Sequence, residues 1–129
     1  MKVLLDTNVL LWWLLDDVRL DDAATATING PQNEVIVSVV SLWEIAIKVR
    51  IGKLEADLEE IERILNQEGV ALLGIASAHL RALGGLPIHH RDPFDHLLIA
   101  QAIVEDAVFL TEDRQAALYP VKVRDAGRS

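Results

Sequence analysis

Residues 3–15 read Val3-Leu-Leu-Asp-Thr-Asn-Val-Leu-Leu-Trp-Trp-Leu-Leu15, two apolar runs parted by Asp6, Thr7 and Asn8. The first run, residues 2–6, has strand length, and residues 9–15 continue as a helix rich in Leu and Trp. A strand therefore turns into a helix at an aspartate. Desolvating a charge between apolar runs is costly unless something compensates it. Asp6, Thr7 and Asn8 are all helix N-cap types, so a cap is one explanation. A bound cation is the other.

Outward from this stretch the same alternation recurs. Residues 34–38 (EVIVS), 70–75, 107–111 and 121–123 read as strands. Residues 21–29, 42–49, 57–68, 76–83 and 93–105 read as helices, with a helical turn or two over 113–118. Gly30-Pro31, Gly52, Gly69 and Gly84-Gly85 punctuate them. Strands alternating with helices predict an α/β fold, a Rossmann-like parallel sheet of four or five strands flanked by helices on both faces. In such folds sites lie beyond the carboxyl ends of the strands.

The chain has 129 residues, of which 51% are hydrophobic and 25% charged. That suits a single globular domain spanning residues 1–129. With no cysteine, neither a disulfide framework nor a thiolate zinc site is available. Lys2 is a minimal basic start and Asp6 interrupts the apolar stretch, which argues against a signal peptide. No apolar run approaches the roughly 20 residues of a membrane span, so a cytoplasmic protein is expected. The net charge of −8 argues against binding nucleic acid through a broad basic face. It leaves room for a nucleic-acid enzyme, because a bound cation reverses the field within one cleft.

Four acids interrupt apolar segments: Asp6 after VLL, Glu44 in LWEIAI, Asp95 in PFDHLLIA and Asp113 after FLTE. Each alone has a plain structural explanation. Ser41 and Glu44 have capping-box spacing, Asp92 and Asp95 suit the start of a helix opened by Pro93, and Asp113 suits the cap of the turn after it. The acids at Glu55, Asp57, Glu59, Glu60 and Glu62 differ, forming an ordinary solvated face. Clustered carboxylates repel, so a site of four requires a cation. Oxygen donors without cysteine suit Mg²⁺ or Mn²⁺, which activate water and neutralise charge on a phosphodiester.

VLLDTNVLLWWL, SVVSLWEIAIKVRIGKL, HRDPFDHLLIAQA and VFLTED together resemble the PIN-domain ribonucleases, and most of all the VapC toxins of bacterial VapBC toxin–antitoxin pairs. The resemblance runs from Val3 to about Val123, with the motifs in family order. It implies a PIN-like fold and an Mg²⁺- or Mn²⁺-dependent endoribonuclease that hydrolyses RNA with a metal-activated water. Asp6, Glu44, Asp95 and Asp113 would be both the metal ligands and the catalytic residues, with Asn8 and Thr111 supporting them. Either Glu112 or Asp113 would face the metal. A small VapB-like antitoxin and a homodimer are the implied partners. The competing reading is a catalytically silent PIN-like module that engages a protein or RNA, its acids serving only as caps.

Lys48, Arg50 and Lys53 form a basic stretch, either an edge that meets RNA phosphate or a solvated helix end. Arg91 and Arg114 flank the acids and either meet phosphate or pair with nearby carboxylates. His89, His90 and His96 match no usual zinc spacing, and zinc is set aside. Trp12 and Trp13 are adjacent on one helix, so at least one reaches an edge or an interface, while Trp43 reads as core.

Overall fold

The computed structural model describes residues 1–90 and 92–127. Its strands β1 (Lys2–Leu5), β2 (Glu34–Ser38), β3 (Ala71–Leu73), β4 (Val108–Thr111) and β5 (Val123–Asp125) form one sheet in the order β3-β2-β1-β4-β5. Every pairing is parallel. Between them run α1 (Thr7–Leu14), α2 (Asp22–Asn29), α3 (Val39–Arg50), α4 (Leu58–Gln67), α5 (Ser77–Gly84) and α6 (Pro93–Val104). A 3-10 turn, Arg114–Leu118, joins β4 to β5. Five parallel strands and the flanking helices match the expected α/β architecture. No described helix is long and apolar enough to cross a membrane.

Side chains alternate across a strand, and here both faces are apolar because both are covered. Val3 and Leu5 of β1, Val35 and Val37 of β2 and Leu110 of β4 pack with Val9, Leu10, Ile28, Ile45, Ile61 and Leu65. Leu4, Ile36 and Phe109 point the other way, onto Leu97, Leu98, Ala102 and Tyr119. The register puts Leu4 beside both Ile36 and Phe109, so this second core is centred on β1. Burying a side chain such as Leu4 or Phe109 is worth about 1.5–3 kcal/mol each.

Element ends depart from the sequence reading for local reasons. α3 starts at Val39 rather than residue 42, because the Ser38 hydroxyl accepts the Val40 N–H and caps the helix directly from the strand. α1 likewise starts at Thr7, directly after Asp6. β3 is only three residues long. β5 begins at Val123 instead of residue 121, since the Phe109 N–H donates to the Lys122 carbonyl and the ladder proceeds from there. Gly52 and Gly69 stop α3 and α4 in the left-handed region, at φ 77° and 71°. Trp43 is not core: it is 52% exposed, with its ring edge-on to Phe94. Trp12 and Trp13 are both half-buried, the first beneath the Arg19 guanidinium and the second donating to Asn29 Oδ1.

Candidate metal centre

From the central strand β1 the chain proceeds to β2 and β3 on one side, while β4 and β5 lie on the other. The gap between β1 and β4 is therefore the switch point of the sheet, where α/β folds open a crevice at the strand carboxyl ends. Asp6 ends β1 and Asp113 follows β4. α3 leaves β2 at the same rim and carries Glu44, and α6 packs against α3 and brings Asp95. One pocket of about 200 Å³ is lined by Asp6, Thr7, Asn8, Glu44, Lys48, Asp92, Asp95, Glu112 and Asp113. All four acids singled out in the sequence line it.

Their contacts separate capping from other roles. Asp6 precedes α1 at its cap position yet makes no side-chain capping bond. It is 4% exposed, and its Oδ2 accepts the Thr111 hydroxyl. The capping-box explanation for Glu44 fails, because Ser38 is the cap of α3 and Glu44 lies in the second turn. Glu44 is 8% exposed. Its Oε2 pairs with Lys48 Nζ at 3.0 Å, while its buried Oε1 has no partner. Asp92 caps α6 by accepting the Phe94 and Asp95 N–H groups, which leaves the Asp95 carboxylate uninvolved in the cap. Asp113 does cap its turn, accepting the Gln115 N–H at 2.9 Å while also lining the pocket. Capping explains one of the four acids.

The electrostatics follow from crowding. Burial pushes the Asp6 carboxyl up to about 6, with Glu112 and Glu44 adding repulsion and the Thr111 hydroxyl opposing it. Burial also pushes Asp95 up to about 8, reinforced by the negative charges of Asp6, Asp92, Glu44 and Asp113. Six carboxylates and one lysine line the pocket among the described residues. The orphaned Glu44 oxygen is the sharpest sign of a missing partner, since a buried acceptor without one carries its full desolvation penalty. An oxygen-rich donor set fits Mg²⁺ or Mn²⁺.

Thr111 bridges the site, donating to Asp6 and accepting the Asp113 N–H at 3.0 Å. Asn8 donates to Glu112 Oε1 at 2.9 Å, which holds Glu112 at the rim. Glu112 and Asp113 both line the pocket, so geometry admits both rather than one. Lys48 is engaged with Glu44, whereas Arg50 and Arg114 are exposed. Arg91 lies outside the described residues. Asp92 and Thr7 were not singled out from the sequence as site residues. Thr7 ties α1 to α3 through its hydroxyl bond to Ser41, a contact between residues 34 apart that no local pattern reveals.

The sequence profile described as the PIN domain matches residues 3–122. Ribonuclease VapC22 of Mycobacterium tuberculosis is 29% identical over 115 residues, covering 88% of each chain. Among solved structures, VapBC2 from Rickettsia felis, bound to a DNA fragment from its promoter, aligns over 97% of this chain and 98% of its own. Its TM-score is 0.77 at 16% identity. VapBC-5 from Mycobacterium tuberculosis aligns over 98% of both chains with a TM-score of 0.61 at 22% identity. At those identities the structures speak for the fold, whereas the profile spans nearly the whole chain. With the acids gathered at the switch point of a five-stranded parallel sheet, the chain belongs to the PIN domain family.

Proposed function

We propose that the protein is an Mg²⁺- or Mn²⁺-dependent endoribonuclease and the toxin of a toxin–antitoxin pair. The observation that carries this reading is the convergence of Asp6, Glu44, Asp95 and Asp113 on one pocket, with a buried Glu44 oxygen left without a partner. A divalent cation there would neutralise charge on a phosphodiester and activate water for attack. Asp6, Glu44, Asp95 and Asp113 would hold it. Thr111 orients the Asp6 carboxylate through its hydroxyl and fixes the backbone at Asp113. Lys48 neutralises one oxygen of Glu44, and its half-exposed side chain places a cation at the pocket edge where a phosphate enters. Arg50 and Arg114 are solvent-exposed on segments adjoining the pocket and are the candidates for outer phosphate contacts.

A small antitoxin partner is inferred from the likeness to VapBC assemblies, and self-association from the sequence resemblance alone. The chain's net charge of −8 adds a physical reason: a basic antitoxin segment would neutralise the acidic pocket. The test is cleavage of RNA in Mg²⁺ or Mn²⁺ by the wild type and by Asp6→Asn and Asp95→Asn. Metal-dependent cleavage that both substitutions abolish supports the reading. Undiminished cleavage by both variants overturns it.

A further inference from the structure

Of the four histidines, two are spoken for. His79 is buried against Glu105, Gln101 and the Ala76 N–H, and His96 pairs with the Tyr119 hydroxyl. His90 is different. A ring nitrogen of His90 and one carboxylate oxygen each of Asp95 and Asp113 all lie within 4.8 Å of one another. Its Nε2 is buried and has no hydrogen-bond partner among the described residues. Its Nδ1 receives only a long 3.3 Å bond from the Asp92 N–H.

We propose that His90 supplies a nitrogen ligand to the cation in the acidic pocket, on the side of Asp95 and Asp113. The inference rests on the cation-site reading above and adds a donor that reading does not contain. Two donors each about 2.1 Å from one ion lie at most about 4.2 Å apart. The observed group therefore closes around an ion with small side-chain rotations. The imidazole is held in place for this. It stacks on His96 with centroids 4.6 Å apart and planes 19° apart, and it meets Tyr119 edge-on at 5.5 Å. Tyr119 in turn is 4% exposed and tied by its hydroxyl to the His89 N–H and His96 Nε2.

Ligation through one ring nitrogen leaves the ring proton on the other. Glu44 Oε1, on α3, is a buried acceptor without a partner at the same cluster of acids. Glu44 lines the acidic pocket, and His90, outside that lining, meets the cluster through Asp95 and Asp113. An imidazole nitrogen beside carboxylates favours Mn²⁺ over Mg²⁺, because Mg²⁺ prefers an all-oxygen shell.

The experiment is electron spin-echo envelope modulation of Mn²⁺ bound to the full chain, repeated with ¹⁵N-histidine-labelled protein. The expected result is a directly coordinated ¹⁴N signal that converts to ¹⁵N on labelling and disappears in His90→Ala. The His96→Ala variant should keep it. Calorimetry should show Mn²⁺ affinity falling by about tenfold or more in His90→Ala, with a smaller fall for Mg²⁺. Mn²⁺ binding without histidine modulation in the wild type overturns this proposal and leaves the cation site standing. Modulation that survives His90→Ala also overturns it. Failure of the wild type to bind Mn²⁺ overturns both readings.

Discussion

The Thr111 hydroxyl donates to Asp6 Oδ2, joining residues 105 apart in sequence at the carboxyl ends of two adjacent parallel strands. The Thr111 hydroxyl oxygen also accepts the Asp113 N–H, so one threonine sets the geometry of two acids. Thr111→Val keeps the shape and removes both bonds. Leaving a buried carboxylate short of a donor costs about 1–3 kcal/mol. Urea unfolding should show a loss of that size, and Thr111→Ser should recover most of it.

Asp6 and Asp95 predict how stability depends on pH when no divalent cation is bound. Their carboxyls stand at about 6 and about 8, above the 3.8 of an unperturbed aspartate. Between these values the folded chain holds more protons than the unfolded one, so their contribution is complete at low pH and is lost as pH rises through 6 to 8. In a chelator, the melting temperature of the wild type relative to Asp95→Asn should fall between about pH 5 and pH 8.5. A constant difference across that range contradicts the crowding described here.

Divalent cation should reverse the trend. Binding to the folded state alone stabilises by mass action, by about 2.7 kcal/mol at a hundredfold excess over the dissociation constant. The cation competes with protons on Asp6 and Asp95, so the rise in melting temperature with Mn²⁺ should grow from pH 5.5 to pH 8, roughly over the interval in which those groups ionise. Glu44→Gln should diminish the rise at every pH.

Much of this was legible in the residues. The alternation of apolar runs marks the first four strands and meets β5 only at Val123, and the four acids stand out because they break those runs. What local pattern could not show was how each acid's bonds are distributed. Ser41 and Glu44 have the spacing of a capping box, yet Ser38 caps α3 one turn earlier, directly off β2. Asp95 precedes its neighbouring strand in sequence and reaches the rim only through the packing of α6 on α3. The spacing of His90 to the other histidines suits no zinc site and does not reveal that its neighbours in space include Asp95 and Asp113. Trp43 reads as core by composition but faces outward, since the inner face of α3 is taken by Val40, Leu42, Glu44 and Ile45.

A buried strut between α6 and the ends of β2 and β3 offers a prediction about the fold alone. Gln101 is fully buried, accepts from the Ser38 hydroxyl through Oε1 and donates to the Gly74 carbonyl through Nε2. It thereby ties α6 to the end of β2 and to the segment after β3. Gln101→Leu fills similar space but orphans those partners, each at about 1–3 kcal/mol. Denaturant unfolding should register a loss in that range, with the cation affinity of the folded protein little altered.

Titration calorimetry of Mn²⁺ into the wild type, Glu44→Gln and Asp95→Asn most directly tests the claim that the acids form a cation site. The account predicts saturable binding to the wild type and a loss of affinity of about tenfold or more in each variant. Circular dichroism should remain unchanged throughout. No saturable binding to the wild type, or equal affinity in all three proteins, would contradict it.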